Sequence, residues 1–293
     1  MERLSAYTPP SIISAAFNPL MNLPTSPDFS LLNLLLGVLL AIAVSLAAYR
    51  LRSLSMSGAV AAAILGTLVF GFGGLQWSVL LLTFFLTSSL LSKLFRRKKG
   101  QAEEKFSKGS RRDAWQVLAN GGISGVAILL QIAFPEAVWP FYLAAGSLAA
   151  ANADTWATEL GVLSPTQPRL ITSLKPVEKG TSGAVSQLGS LAALGGSALI
   201  ALAAVLVSQT GWLAFALIII AGFIGSLVDS LLGATIQAQY WCTVCDKVTE
   251  KHPRHGCGTD TTLHSGWRWM NNDAVNLLCT LTGGIAALLL LNL

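Results

Sequence analysis

Eight apolar stretches, each near the length needed to cross about 30 Å of hydrocarbon, dominate this chain and leave little room for anything but a membrane fold. They fall at residues 31–49, 56–72, 77–94, 114–134, 138–153, 186–208, 213–238 and 272–292. Across the 293 residues, 53% are hydrophobic and only 11% are charged, which excludes a soluble globular domain and a disordered chain alike. The expected fold is an all-α polytopic membrane protein. It divides into an N-terminal segment, residues 1–30, and one transmembrane catalytic domain, residues 31–293. The first segment lacks a basic n-region and does not read as a cleaved signal peptide.

Charge sets the orientation. With the N-terminus outside, loops 50–55, 95–113, 154–185 and 239–271 face inward, and 18 of the 19 Lys and Arg residues lie in them or at the adjoining span ends. Arg3 is the remaining one, and the outer loops carry none, as the positive-inside rule requires. A multi-pass protein with both termini outside and basic loops in the cytoplasm is therefore expected. The net charge of +5 belongs to that inner face and is not a nucleic-acid signature. The run "RRKKGQAEEKFSKGSRR", residues 96–112, reads as a solvated loop touching anionic lipid heads. No P-loop, Rossmann motif or internal repeat stands out.

Several spans contain residues that hydrocarbon should reject. "AANADTWATELG", residues 150–161, puts Asp154 and Glu159 at the end of an apolar run, where a charge at the bilayer centre would cost several kcal/mol. In "GFIGSLVDSLLGATIQ", Gly222, Ser226, Asp229, Gly233 and Gln237 recur in steps of three or four and share a helix face. Gln116, Asn120 and Ser124 make a second stripe, and Asp273, Asn276, Thr280 and Gly283 a third. Ser147, Ala150, Asp154, Thr158 and Gly161 make a fourth. These helices should surround a polar cavity open to the cytoplasm. Close helix packing and interhelical hydrogen bonds can account for Gln116, Asn120 and the glycines. They do not account for Asp154 and Asp229, which have no intramembrane Lys or Arg to neutralise them. Such carboxylates suggest a bound metal or proton. Glu159 lies about 140° from Asp154 on a straight helix. Either the helix unwinds near Thr155 and Trp156, or the two acids serve different neighbours. Asp154 and Asp229 rank ahead of Glu159 and Asp273 as metal ligands.

The following loop, "RLITSLKPVEKGTSGAVS", supplies the opposite charge. Lys175, Lys179 and Arg169 can offer point charges, while Gly180, Thr181, Ser182 and Gly183 before a helix start suit an anion-binding nest. By itself such a turn reads as an N-cap. Beside an acid cluster, it supplies parts that phosphoryl transfer requires. A last inward loop, "YWCTVCDKVTEKHPRHGCGTDTTLHSGW", spaces Cys242, Cys245, His255 and Cys257 as a closed Cys₃His set, with His252 competing for the histidine place. The expectation is structural zinc.

"NADTWATELG", "PRLITSLKPVEKGTSGAVS", "GSLVDSLLGATIQ", "NNDAVN" and "QVLANGG" together resemble the integral membrane family that contains phytyl-phosphate kinase and transmembrane protein 19. The match runs from about residue 50 to the C-terminus. It implies a kinase that converts an isoprenyl monophosphate, such as phytyl phosphate, to the diphosphate, as in tocopherol or isoprenoid salvage. The donor would be a nucleoside triphosphate, CTP or ATP, with magnesium or manganese. By this resemblance Asp154, Asp229, Lys175, Gly180 and Thr181 are functional positions. Two rivals remain: a transporter or flippase using the acids as a cation or proton site, and a cytidylyltransferase-like lipid enzyme.

Overall fold

A computed structural model describes residues 31–95, 109 and 111–291. The N-terminal segment and most of the basic run after Phe95 lie outside the described residues. The chain within them is predominantly helical: α1 (Leu31–Arg50), α2 (Met56–Leu94), α3 (Ala114–Ala133), α4 (Trp139–Gly161), α5 (Gln187–Ser208), α6 (Trp212–Thr235) and α7 (Asn272–Leu291). Among the described residues, six helices are long and apolar enough to cross a membrane, all of these except α4.

The exposed faces explain the hydropathy. Helix α1 turns Leu31, Leu35 and Leu39 outward and buries Gly37, Ala41, Ser45 and Ala48. The buried set recurs every three or four residues, so it forms one narrow stripe of small side chains. A Cβ added at Gly37 would stand 2.5 Å from Gly71, which is how close α1 lies to α2. Helix α4 is buried from Pro140 through Ala153 and packs against α5, α6, α7 and α3. A helix shielded on every side does not need a strongly apolar surface, and this one is rich in Ala, Gly and Ser.

Helix α2 has 39 residues and would extend about 58 Å if straight. It does not run straight. Gly74 adopts φ 65° and ψ −159°, a left-handed backbone that interrupts the helix, and Ser78 Oγ donates to the Gly74 carbonyl at 2.6 Å. The sequence predicted two separate spans with a linker over 73–76. The structure replaces that linker with a single broken residue.

The all-α expectation needs one correction. Strands β3 (Gln239–Cys242), β4 (Lys247–Thr249) and β5 (Thr262–Ser265) form an antiparallel sheet in the order β4-β3-β5. Two-residue strands β1 (Arg169–Leu170) and β2 (Ala184–Val185) also pair antiparallel. Backbone groups in these loops find partners across hairpins, which hydropathy alone does not reveal.

Candidate functional site

Asp154 on α4 and Asp229 on α6 line one cavity and lie close enough for their carboxyls to interact, although 75 positions separate them. Small residues bring the two helices together. A Cβ at Gly225, one turn before Asp229, would stand 2.5 Å from Ala150 Cβ and 2.8 Å from the Cys279 carbonyl. Gly222 abuts Ala149 and Ser197 in the same way. Asp229 Oδ2 is buried with no hydrogen-bond partner among the described residues. Paired carboxyls with one orphaned oxygen suit a shared proton or a hard divalent cation.

Glu159 serves a different neighbourhood. Helix α4 runs unbroken through Thr155 and Trp156, so the second acid stays on another face. Its Oε1 accepts from Ser92 Oγ of α2 at 2.7 Å. Asn152 shares that side of the helix, donating to the Gly196 carbonyl at 2.8 Å and accepting from Thr87 at 3.1 Å. Arg112 lies close enough to Glu159 to feel its charge. Burial pushes the guanidinium down to about 10, with Glu159 pulling it back up, so it stays cationic at neutral pH. Arg112 Nη1 is buried without a hydrogen-bond partner among the described residues.

Asp154, Asp229, Glu159, Ser92 and Arg112 line a cavity of about 260 Å³ that also takes in the Lys179–Ser186 segment. Gly180 and Gly183 have φ of 80° and 75°, and Gly183 abuts the Ala234 backbone so closely that no Cβ fits. Lys179 Nζ donates to the Ser164 carbonyl at 2.6 Å, and Ser182 Oγ donates to Glu250 Oε1 at 2.7 Å. Thr181 N–H is committed to the Glu178 carbonyl at 3.2 Å. The glycine loop does not lead straight into a helix, because strand β2 intervenes. Ser186 then caps α5 by accepting from Gly189 N at 3.1 Å, and the first residues of that helix form another part of the cavity wall.

Several expected residues fall elsewhere. Lys175 is exposed and outside the cavity lining, and Arg169 Nη1 donates to the Leu174 carbonyl at 2.8 Å. Asp273 occupies the first turn of α7, where it complements the helix dipole, while its neighbours Asn272 and Asn276 line the cavity. Gln116 and Asn120 do line it, but their bonds are local. Gln116 closes a capping box with Asp113, and Asn120 Nδ2 donates to the Gln116 carbonyl at 2.9 Å. Sequence reasoning missed Ser92, Arg112 and Glu250. Arg112 was hidden in a basic run, although the Asp113 cap immediately after it marks a fixed position.

In the cysteine loop, ligand atoms of Cys242, Cys245, His255 and Cys257 all lie within 4.8 Å of one another. His252 instead stacks on Tyr240, with ring centroids 4.3 Å apart.

The family description "Integral membrane protein DUF92" matches residues 39–284. The chain belongs to this family. Among relatives of this chain, Protein PGR of Arabidopsis thaliana is 36% identical, covering 88% of this chain and 94% of its own length. An uncharacterized membrane protein of Methanocaldococcus jannaschii is 34% identical, over 89% of this chain and 95% of its own. Protein VTE6, chloroplastic, of Arabidopsis thaliana is 27% identical, over 81% of this chain and 65% of its own. No solved structure matches the chain. Family membership and the apolar helices make it an integral membrane protein.

Proposed function

We propose that this DUF92 protein is an isoprenyl-phosphate kinase, transferring the γ-phosphoryl group of CTP or ATP to phytyl or a related isoprenyl monophosphate. The observation that carries the reading is one cavity lined both by Asp154 and Asp229 and by the Lys179–Gly183 loop. Similarity to Protein VTE6 and Protein PGR supports it.

The donor set fits magnesium or manganese, since it offers carboxylate oxygens and one of them, Asp229 Oδ2, is buried without a hydrogen-bond partner among the described residues. Held by Asp154 and Asp229, the cation would neutralise phosphate charge on the donor nucleotide. Lys179 and the Gly180–Gly183 backbone bind the donor phosphates, and Gly180 and Gly183 let that backbone approach closely. Arg112 receives the acceptor phosphate. An apolar cleft of about 60 Å³ between α1, α2 and α3 meets the cavity at Arg112, Gln116 and Asn120, and it leads the isoprenyl tail into the helices. An acceptor phosphate oxygen bonds to the γ-phosphorus as the bond to the β-phosphate oxygen breaks. The acceptor is already ionised, so no base has to remove a proton. The products are the isoprenyl diphosphate and a nucleoside diphosphate.

For topology, the break at Gly74 makes two crossings of α2 and the shielded α4 supplies another, giving eight in all. Both termini face outward and the cavity faces the cytoplasm, in accord with the basic loops.

The test is incubation of purified protein with labelled nucleotides and isoprenyl monophosphates. Isoprenyl diphosphate with nucleoside diphosphate supports the reading. Pyrophosphate release would indicate nucleotidyl transfer, and absence of any product with cation-dependent lipid movement in vesicles would indicate a transporter.

A further inference from the structure

The β4-β3-β5 sheet has little core of its own, with Tyr240 and Cys242 the buried positions of β3. Its strands have three or four residues, all four positions of β5 are exposed, and of β4 only Thr249 is buried. Sheets this small are marginal without a core, a partner or a staple. At the end of this ribbon, Cys242 ends β3, Cys245 lies in the turn to β4, and His255 and Cys257 lie between β4 and β5. Cys242 Sγ is 3.5 Å from Cys257 Sγ, and His255 Nδ1 is 3.4 Å from the same sulfur. Tetrahedral zinc with bonds of about 2.3 Å to sulfur sets its ligand atoms roughly 3.5–4 Å apart. These two separations match, all four ligand atoms lie within 4.8 Å of one another, and the ligand chemistry suits zinc and not a hard oxygen-seeking cation.

The ribbon is also joined to the cavity. Glu250, directly after β4, accepts from Ser182 Oγ at 2.7 Å and from Gln237 Nε2 at 2.8 Å, both at its Oε1. Ser182 belongs to the glycine loop, and Gln237 lies two residues beyond α6, the helix that presents Asp229. The base of the ribbon is fixed by Trp267 N–H to the Ile236 carbonyl at 2.9 Å and Ala238 N–H to the Met270 carbonyl at 2.8 Å.

We infer that Cys242, Cys245, His255 and Cys257 bind one structural zinc ion, and that this zinc-stapled ribbon holds Glu250 against the Lys179–Gly183 loop as part of the cavity wall. All four positions are filled by protein, so the zinc stabilises the ribbon and takes no part in chemistry. The inference rests on ligand geometry and hydrogen bonds, and stands whether or not the cavity transfers phosphoryl groups.

The experiment combines elemental analysis with hydrogen exchange on the full chain in detergent. Wild type should contain about one zinc per chain. Cys257→Ser should lose most of it, whereas Cys257→His should keep it, because imidazole is also a zinc ligand. Exchange over residues 179–183 should rise several-fold in Cys257→Ser and in Glu250→Gln, with zinc retained in Glu250→Gln. If Cys257→Ser does not purify, chelator treatment of wild type provides the zinc-free state. Zinc near zero, or a Cys242–Cys257 disulfide in the purified protein, overturns the metal site. Unchanged exchange at 179–183 after zinc loss overturns the link to the cavity. Failure of the kinase reading would show only in the product assay and would leave both results intact.

Discussion

Ser92 in α2 donates a 2.7 Å hydrogen bond to Glu159 Oε1 in α4, joining residues 67 positions apart. That bond separates Glu159 from the Asp154–Asp229 pair, although all three acids line one cavity. Glu159→Gln should therefore act mainly on stability. A hydrogen bond to a charged group contributes about 1.5–3 kcal/mol, so the melting temperature in detergent should fall by a few degrees. Product formation should stay within about tenfold of wild type. A loss as complete as that from removing Asp154 would place Glu159 in the chemistry.

Asp154→Asn and Asp229→Asn should each lower turnover by more than a hundredfold while the protein still inserts and purifies. The amide keeps the shape of the carboxylate but is a poor ligand for a hard cation. Titration with magnesium should show weakened activation in any residual activity. Turnover within about threefold of wild type in both variants would remove the metal role.

The two lysines of the loop should separate. Lys179 lines the cavity and Lys175 is exposed outside it, so Lys179→Ala should raise the nucleotide KM several-fold more than Lys175→Ala. Gly183→Val should be worse than either, since its positive φ and the Ala234 backbone leave no room for a Cβ. Steady-state kinetics with the acceptor saturating would decide the order, and a larger effect at Lys175 would invert it.

Arg112→Gln should raise the KM for the isoprenyl monophosphate about tenfold and leave the nucleotide KM near wild type. The reason is the buried Nη1 at the meeting point of the cavity and the apolar cleft. An equal rise for both substrates would assign Arg112 to general support of the site.

Gly225→Val tests how the acids are brought together. The added atoms would collide with Ala150 Cβ and the Cys279 carbonyl, and overpacking of this kind costs about 1–3 kcal/mol. Thermal unfolding should show that loss, and turnover should fall with it because Asp229 lies one turn away. Full stability and activity would mean that α4 and α6 are free to separate.

Much of this protein was present in local sequence. Hydropathy and the helical period located the helices, because length and side-chain polarity act within each segment. The stripe Gly222, Ser226, Asp229 identified the right face of α6, since residues three and four apart necessarily lie together. Cys242, Cys245, His255 and Cys257 could be grouped because a knuckle is assembled within one loop.

Tertiary structure decided what distant segments do to one another. Lys175 and Lys179 look equivalent in sequence, and only the folding of their loop puts Lys179 at the cavity and Lys175 away from it. Asp154 and Glu159 share a helix, yet α6 takes the first as a partner and α2 the second. Glu250 acquires its role from Ser182 and Gln237, which no local pattern connects to it. Sequence periodicity fixes the direction of a side chain around its own helix axis, but its partner depends on which helix packs there and how closely. Here that distance is set by glycines whose effect depends on the residues they meet.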